Sequence, residues 1–260
     1  MDNFENKNKI IHYVWISDKK DIPKNQMEII EKTLKINSDF SIKIWDIDSI
    51  KNFDIKNKYF NKAISNEKWA FASDYVRLKI LYEYGGIYLD IDLLSIKKIS
   101  EFFKEQKDFD LVLGFEYKYL ISTGFIWVKD RKNAIIKEVL EHYDFFDDYE
   151  NNKIKYIVNN YIWTKILMDK YGLILSDKNQ ILKNNILIVN HNYFSSINKQ
   201  TSESFFLHKH LLSWKENHNI KKIMIFVLAY IQEHKILNPF LKIQIKNKLK
   251  KIRKIYRDLK

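Results

Sequence analysis

The sequence predicts an α/β fold, a mixed sheet with helices on its faces. Three observations carry that prediction. Short apolar runs suited to buried strands alternate with longer stretches of helical period, which is the βαβ pattern. At Tyr84-Gly85-Gly86-Ile87 a helical stretch meets a strand through two glycines, the residue a helix favours at its left-handed exit. The length of 260 residues is ample for one large core, and with only two prolines and five glycines no linker stands out before Pro239.

The elements follow in order. Residues 10–16, IIHYVWI, read as a buried strand. Pro23 opens a helix over 24–36, because its fixed φ suits the first helical position. Residues 41–46 alternate as a second strand, 53–66 are helical or irregular, 69–84 form a helix, and 87–90 form a third, central strand. Strands at 110–115, 123–128 and 186–189, with amphipathic helices at 131–143 and 160–171, complete the series. There are no internal repeats. The division expected is a body of residues 1–238 and a basic helix over 239–260.

Residues 70–94, AFASDYVRLKILYEYGGIYLDIDLL, carry the most chemistry. Successive side chains of a strand alternate, so Asp90 and Asp92 are expected on one side with Ile91 turned inward. Two carboxylates then converge where an open α/β sheet binds its ligands, past the carboxyl end of a strand. A hard cation such as Mg²⁺ or Mn²⁺ takes one or two carboxylates and fills its remaining positions with water and substrate phosphates. The pair suits a metal-diphosphate. In a chain with 33 acidic residues Asp-x-Asp also arises by chance, and it is the helix, Gly-Gly, strand context that gives it weight.

This stretch resembles the DXD signature of glycosyltransferase family 32, a group of sugar transferases that includes capsule and lipopolysaccharide enzymes. Further matching residues lie outside it. Ile10 to Ile16 is similar to the family's opening strand, Ile44-Trp45-Asp46 to its second, and Phe206-Leu207-His208 through Ser213-Trp214 to its closing motif. The resemblance covers roughly residues 8–216 and is thin between 130 and 200. It implies a GT-A (Rossmann-like) fold and a retaining transferase with Mn²⁺ or Mg²⁺ as cofactor and a nucleotide-sugar donor, uridine diphosphate being the nucleotide expected.

The site residues are carried over from that resemblance, each beside a plainer reading. Asp90 and Asp92 hold the metal, with His208 as a third metal or diphosphate contact; His208 is otherwise one of several surface histidines. Trp15, with Val14 before it, stacks on the donor's base or is simply core. Asp74 and Arg77 hold the donor's ribose and sugar hydroxyls, or form an i, i+3 ion pair on a helix. Ser213 and Trp214 close over the β-phosphate. Asp90, Asp92 and Arg77 are the expected catalytic set, since a metal offsets charge on the leaving diphosphate and Arg77 or His208 assists. Gly114, Ser122, Thr123 and Gly124 are placed on the acceptor side by position. Glu116 is a base for the acceptor hydroxyl or a solvated carboxylate.

Composition narrows the setting. No cysteine is present, which excludes a disulfide framework and a thiol nucleophile. The opening MDNFENKNK has neither a basic nor an apolar signal region, and the apolar run 223–231 is shorter than the roughly 20 residues needed to cross a bilayer. The net charge of +12 is uneven: residues 241–260 hold nine Lys or Arg and one Asp, leaving +4 for the rest. No nucleic-acid motif accompanies it. Leu241, Ile245, Leu249, Ile252 and Tyr256 share one helical stripe amid lysines and arginines, as suits an anionic membrane surface or an ordinary docked helix. The expectation is a bacterial cytoplasmic enzyme, peripheral on the inner face of the plasma membrane. It would act on a lipid-linked saccharide acceptor in surface polysaccharide synthesis, a protein-directed, toxin-like transferase being the alternative.

Overall fold

The computed structural model describes residues 9–209, apart from 19–20, 52, 54, 106–108, 117–118, 149–152, 155 and 197–199, together with residue 247. In chain order the elements begin with β1 (Ile10–Val14), α1 (Lys24–Ile36), β2 (Ser41–Trp45), α2 (Ile47–Ile50) and α3 (Lys58–Ser65). Next come α4 (Trp69–Tyr84), β3 (Gly86–Leu89), β4 (Leu93–Ser95), α5 (Ile99–Glu105), β5 (Leu111–Glu116), β6 (Leu120–Val128) and α6 (Ala134–Glu141). The two-residue strands β7 (Asp147–Asp148) and β8 (Lys153–Ile154) precede α7 (Asn159–Ile166), β9 (Gln180–Leu182), β10 (Ile186–Val189), α8 (His191–Phe194) and β11 (Phe206–His208). Ser213, Trp214 and the expected basic helix, save residue 247, lie outside the described residues. No helix among the described residues is long and apolar enough to cross a membrane.

The main sheet has seven strands in the order β2-β1-β3-β6-β5-β10-β9. It is mixed, as expected: β1 pairs parallel with β2 and β3, and β5 with β10, while β6 runs antiparallel between β3 and β5. The central place therefore belongs to β6, with β3 beside it. Its nine residues are all buried, which explains why its apolar run shows no alternation. Apolar layers cover both faces. Val76, Ile80, Ile136 and Trp163 from α4, α6 and α7 belong to one, and Ile30, Phe102 and Phe194 from α1, α5 and α8 to the other.

The Gly-Gly junction has a physical cause at each position. Gly85 ends α4 with φ of 68°, and its N–H bonds the Leu81 carbonyl at 2.8 Å. Gly86 has φ of 85°, and a Cβ there would lie 2.7 Å from Ile10 Cγ2 and 2.9 Å from the Ile10 carbonyl. Only glycine lets β3 enter so close beside β1.

His12 fastens the same corner. The Trp45 indole N–H donates to His12 Nδ1 at 3.1 Å, so the ring proton sits on Nε2, which faces the Gly85 carbonyl at 3.0 Å. Burial, assisted by Lys43, lowers the His12 pKa to about 4. A histidine with a depressed folded pKa is protonated first in the unfolded chain, so its contribution to stability falls as pH drops from 6.5 toward 4. The shift corresponds to about 3 kcal/mol at 1.36 kcal/mol per unit. Urea unfolding of His12→Gln should therefore show a shallower loss of stability than the parent between pH 6.5 and 4.5. Parallel curves would contradict this.

Two expectations are corrected. Asp90 and Asp92 lie past the carboxyl end of the strand, as expected, but not by its alternation: β3 stops at Leu89, and a turn closed by the Leu93 N–H to the Asp90 carbonyl at 3.0 Å carries both. The strand expected over 10–16 likewise ends at Val14, and Trp15 follows as an irregular residue whose N–H still bonds the Trp45 carbonyl at 2.8 Å.

Candidate functional site

The turn after β3 is one side of the site and β11 the other. Beyond the turn the chain forms β4, and β11 pairs with it antiparallel, placing His208 opposite Leu93. The Lys209 N–H bonds the Asp92 carbonyl at 2.9 Å, fixing the end of β11 to the turn. Residues about 115 positions apart are thereby joined. One ligand atom each from Asp90, Asp92 and His208 lies within 4.8 Å of the others. Three donors bound to one cation at about 2.1 Å each stand at most about 4.2 Å apart, so these groups fit a divalent ion after small side-chain movements. His208 Nε2 is 3.3 Å from Asp92 Oδ1. Burial disfavours a charged His208, but Asp92, with help from Glu116 and Asp90, outweighs burial and raises its pKa to about 9.

Asp90 is held from behind by a buried network. The Tyr88 hydroxyl donates to Asp90 Oδ1 at 2.7 Å, from a place two residues earlier near the end of β3. Arg77 Nη1 reaches the same oxygen at 3.3 Å and donates to the Thr123 carbonyl at 2.8 Å, while Nη2 pairs with Asp74 Oδ1 at 2.9 Å. The guanidinium also lies 4.5 Å from the centre of the Tyr88 ring. Asp90 Oδ2 is the oxygen left toward the turn. It passes so close to β6 that a Cβ on Gly124 would stand 3.0 Å away, and the Asp90 N–H bonds the Gly124 carbonyl at 2.8 Å.

Arg77 is 7 % exposed, so its ion pair with Asp74 is buried rather than on a helix surface. Burial pushes the Asp74 pKa up to about 6 against the pull of the Arg77 charge. Trp15 is half-buried at the carboxyl end of β1, on the sheet edge shared by Asp90, and the Val14 side chain is buried in the core. Ser122 and Thr123 are 2 % and 5 % exposed, and a Cβ on Gly114 would lie 3.1 Å from Phe194. The four residues placed on the acceptor side by position are therefore packed inside, with Gly124 and Thr123 serving Asp90 and Arg77.

Glu116 ends β5 on the same edge. Asn160 of α7 donates to its Oε2 at 2.6 Å and to the Ile121 carbonyl at 2.9 Å. Burial raises the Glu116 pKa, and the Asp90 and Asp92 charges add to the effect against His208 and Asn160. Glu116 is thus a half-buried carboxylate with one oxygen held by Asn160. Sequence reading missed Tyr88 and Gly124 as partners of Asp90; the i, i+2 spacing of Tyr88 was the available signal, whereas Gly124 and Asn160 have none.

Residues 23–110 match the family described as the glycosyltransferase sugar-binding region containing DXD motif. An uncharacterized glycosyltransferase of Acanthamoeba polyphaga mimivirus is 37 % identical over 97 residues, which is 36 % of this chain and 38 % of that protein. Inositol phosphoceramide mannosyltransferase 3 of Schizosaccharomyces pombe is 31 % identical over 88 residues, 33 % of this chain and 24 % of that protein. The chain thus matches well under half the length of both curated relatives. Among solved structures, PaToxG glycosyltransferase superposes with a TM-score of 0.50 at 23 % identity, over 63 % of this chain and 69 % of that one. With the DXD turn at the carboxyl edge of a mixed sheet, the chain has a GT-A-type α/β fold, and its residues 23–110 match the DXD-containing glycosyltransferase sugar-binding region.

Proposed function

We propose that this chain is a retaining, metal-dependent glycosyltransferase that moves a sugar from a uridine-diphosphate donor to a lipid-linked saccharide in bacterial surface polysaccharide synthesis. The carrying observation is the convergence of Asp90, Asp92 and His208 within 4.8 Å inside and beside the matched DXD region. These three residues would hold Mn²⁺ or Mg²⁺, which would supply positive charge to offset that of the leaving diphosphate. Tyr88 and Arg77 keep one oxygen of Asp90 engaged, so the other is presented in a fixed direction. Arg77 accordingly acts through Asp90 and Asp74. Trp15 stacks on the base, and Ser213 and Trp214, which lie outside the described residues, are the proposed contacts of the β-phosphate. A lipid-borne acceptor is in keeping with the fungal relative, whose name specifies an inositol phosphoceramide.

The basic segment 239–260, which save residue 247 lies outside the described residues, is proposed to bind the inner face of the plasma membrane. Basic residues there contribute on the order of 1 kcal/mol each near an anionic leaflet.

The test is a screen of nucleotide sugars for Mn²⁺-dependent hydrolysis. At least one uridine-diphosphate sugar should be cleaved, with a loss of more than about 100-fold in EDTA that Mn²⁺ restores. Equal rates in EDTA, or no cleavage of any donor, would overturn the reading. Separately, the full chain should sediment with anionic vesicles at low salt and a chain ending at Asn238 should not. Equal sedimentation removes the membrane role of the tail.

A further inference from the structure

Along the carboxyl edge of the sheet, beyond the metal-ligand cluster, lies a second group of side chains that the donor chemistry does not use. β3, β5 and β10 point the same way, so Asp90, Glu116 and His191 all emerge on this edge, each just past or at a strand end. Two strand spacings of about 4.8 Å put the end of β5 on the order of 10 Å from that of β3. Between Glu116 and His191 is a small apolar patch in which half-buried Tyr119, Tyr161, Met168 and Leu175 pack against Leu120.

Polar groups stand on both sides of this patch. On one side is Glu116: Asn160, the neighbour of Tyr161, holds its Oε2, and its Oε1 has no hydrogen-bond partner among the described residues. On the other side Asp177 receives the His191 N–H at Oδ1, 2.9 Å, and the ring Nδ1 at Oδ2, 2.7 Å. This leaves the imidazole Nε2 as the outward nitrogen. Asp177 is held with φ of 50°, a left-handed conformation uncommon outside glycine, and lies near enough to Tyr119 for its charge to act on the phenol.

Two tyrosine faces between a carboxylate and an oriented imidazole match the chemistry of a pyranose ring. The apolar C–H face of a sugar packs on aromatic carbon, and its rim hydroxyls need polar partners at defined points. We propose that the surface of Tyr119 and Tyr161, between Glu116 and the Asp177–His191 pair, is the acceptor subsite and takes a saccharide, with the Glu116 carboxylate receiving the hydrogen bond of the acceptor hydroxyl. This rests on the glycosyl-transfer reading above, because it assigns the second substrate of that reaction.

The experiment measures binding of four methyl glycosides, of glucose, galactose, mannose and N-acetylglucosamine, to the full chain by saturation-transfer NMR with Mg²⁺ and uridine diphosphate present. At least one should bind the parent, more than tenfold more weakly to Tyr161→Ala and to Glu116→Gln, and with parental affinity to Tyr161→Phe, which keeps the ring. Ile181→Ser, on the exposed edge of β9 and not among the patch residues, controls for general damage and should match the parent. Circular dichroism checks that each variant folds. A glycoside that binds the folded alanine and glutamine variants as well as it binds the parent overturns the proposal. So does a parent that binds none of the four, the result expected of a peptide acceptor. Mn²⁺-dependent donor hydrolysis by the parent is recorded in parallel, so failure of the subsite and failure of the transferase reading are told apart.

Discussion

Replacing Asp92 with Asn should lower metal-dependent hydrolysis of the donor by about a thousandfold, equivalent to roughly 4 kcal/mol of lost transition-state stabilisation. Asn keeps the size of the side chain and removes the charge. Asp92 sits in a turn rather than in the sheet, its side chain is 16 % exposed, and His208 at 3.3 Å is a charged partner. When that partner is lost, His208 sheds its proton rather than stay charged and buried, which limits the structural cost to about 1–2 kcal/mol. Unfolding midpoints near those of the parent, together with loss of Mn²⁺ binding by calorimetry, are the expected pair of results. A variant that hydrolyses the donor at the parental rate would remove Asp92 from the chemistry.

The turn of Asp90 and Asp92 was legible because its context is local. Helix α4, the two glycines and the aspartates are contiguous, and every feature that makes Gly85-Gly86 necessary follows from one helix exit and one close strand contact. His208 was legible only by resemblance, since its approach to Asp92 depends on the pairing of β4 with β11, two three-residue strands more than 100 residues apart. Strands so short carry no periodicity to read. The same limit applies to β9 and to the clamp of Asn160 on Glu116. The alternation argument for Asp90 and Asp92 brought the carboxylates together for the wrong reason. A turn, not a continued strand, converges them, and the turn is what leaves room for His208 and the Lys209 backbone.

Arg77→Leu tests the layer beneath the proposed metal ligands, and it should both unfold more easily and lose activity. Arg77 is the shared cation of Asp74 and Asp90, bonded to the Thr123 carbonyl and stacked on Tyr88, all with 7 % exposure. Removing it strands a buried carboxylate at Asp74 and frees Asp90 to turn, and breaking a buried pair in this way costs about 3–5 kcal/mol. The sign of the pH dependence is fixed by Asp74, whose folded pKa is already raised to about 6 and rises further without Arg77. A carboxyl with a raised folded pKa gains stability as pH falls, because the folded state binds the proton first. Urea unfolding should therefore show a larger deficit at pH 8 than at pH 5.5. Arg77→Lys separates the two roles: a lysine keeps the charge near Asp74 and recovers part of the stability. It cannot span Asp74, Asp90 and Thr123 at once, so donor hydrolysis stays low. A lysine variant with parental activity, or a leucine variant within about 1 kcal/mol of the parent at pH 8, would show that Asp90 is aimed by Tyr88 and Gly124 alone.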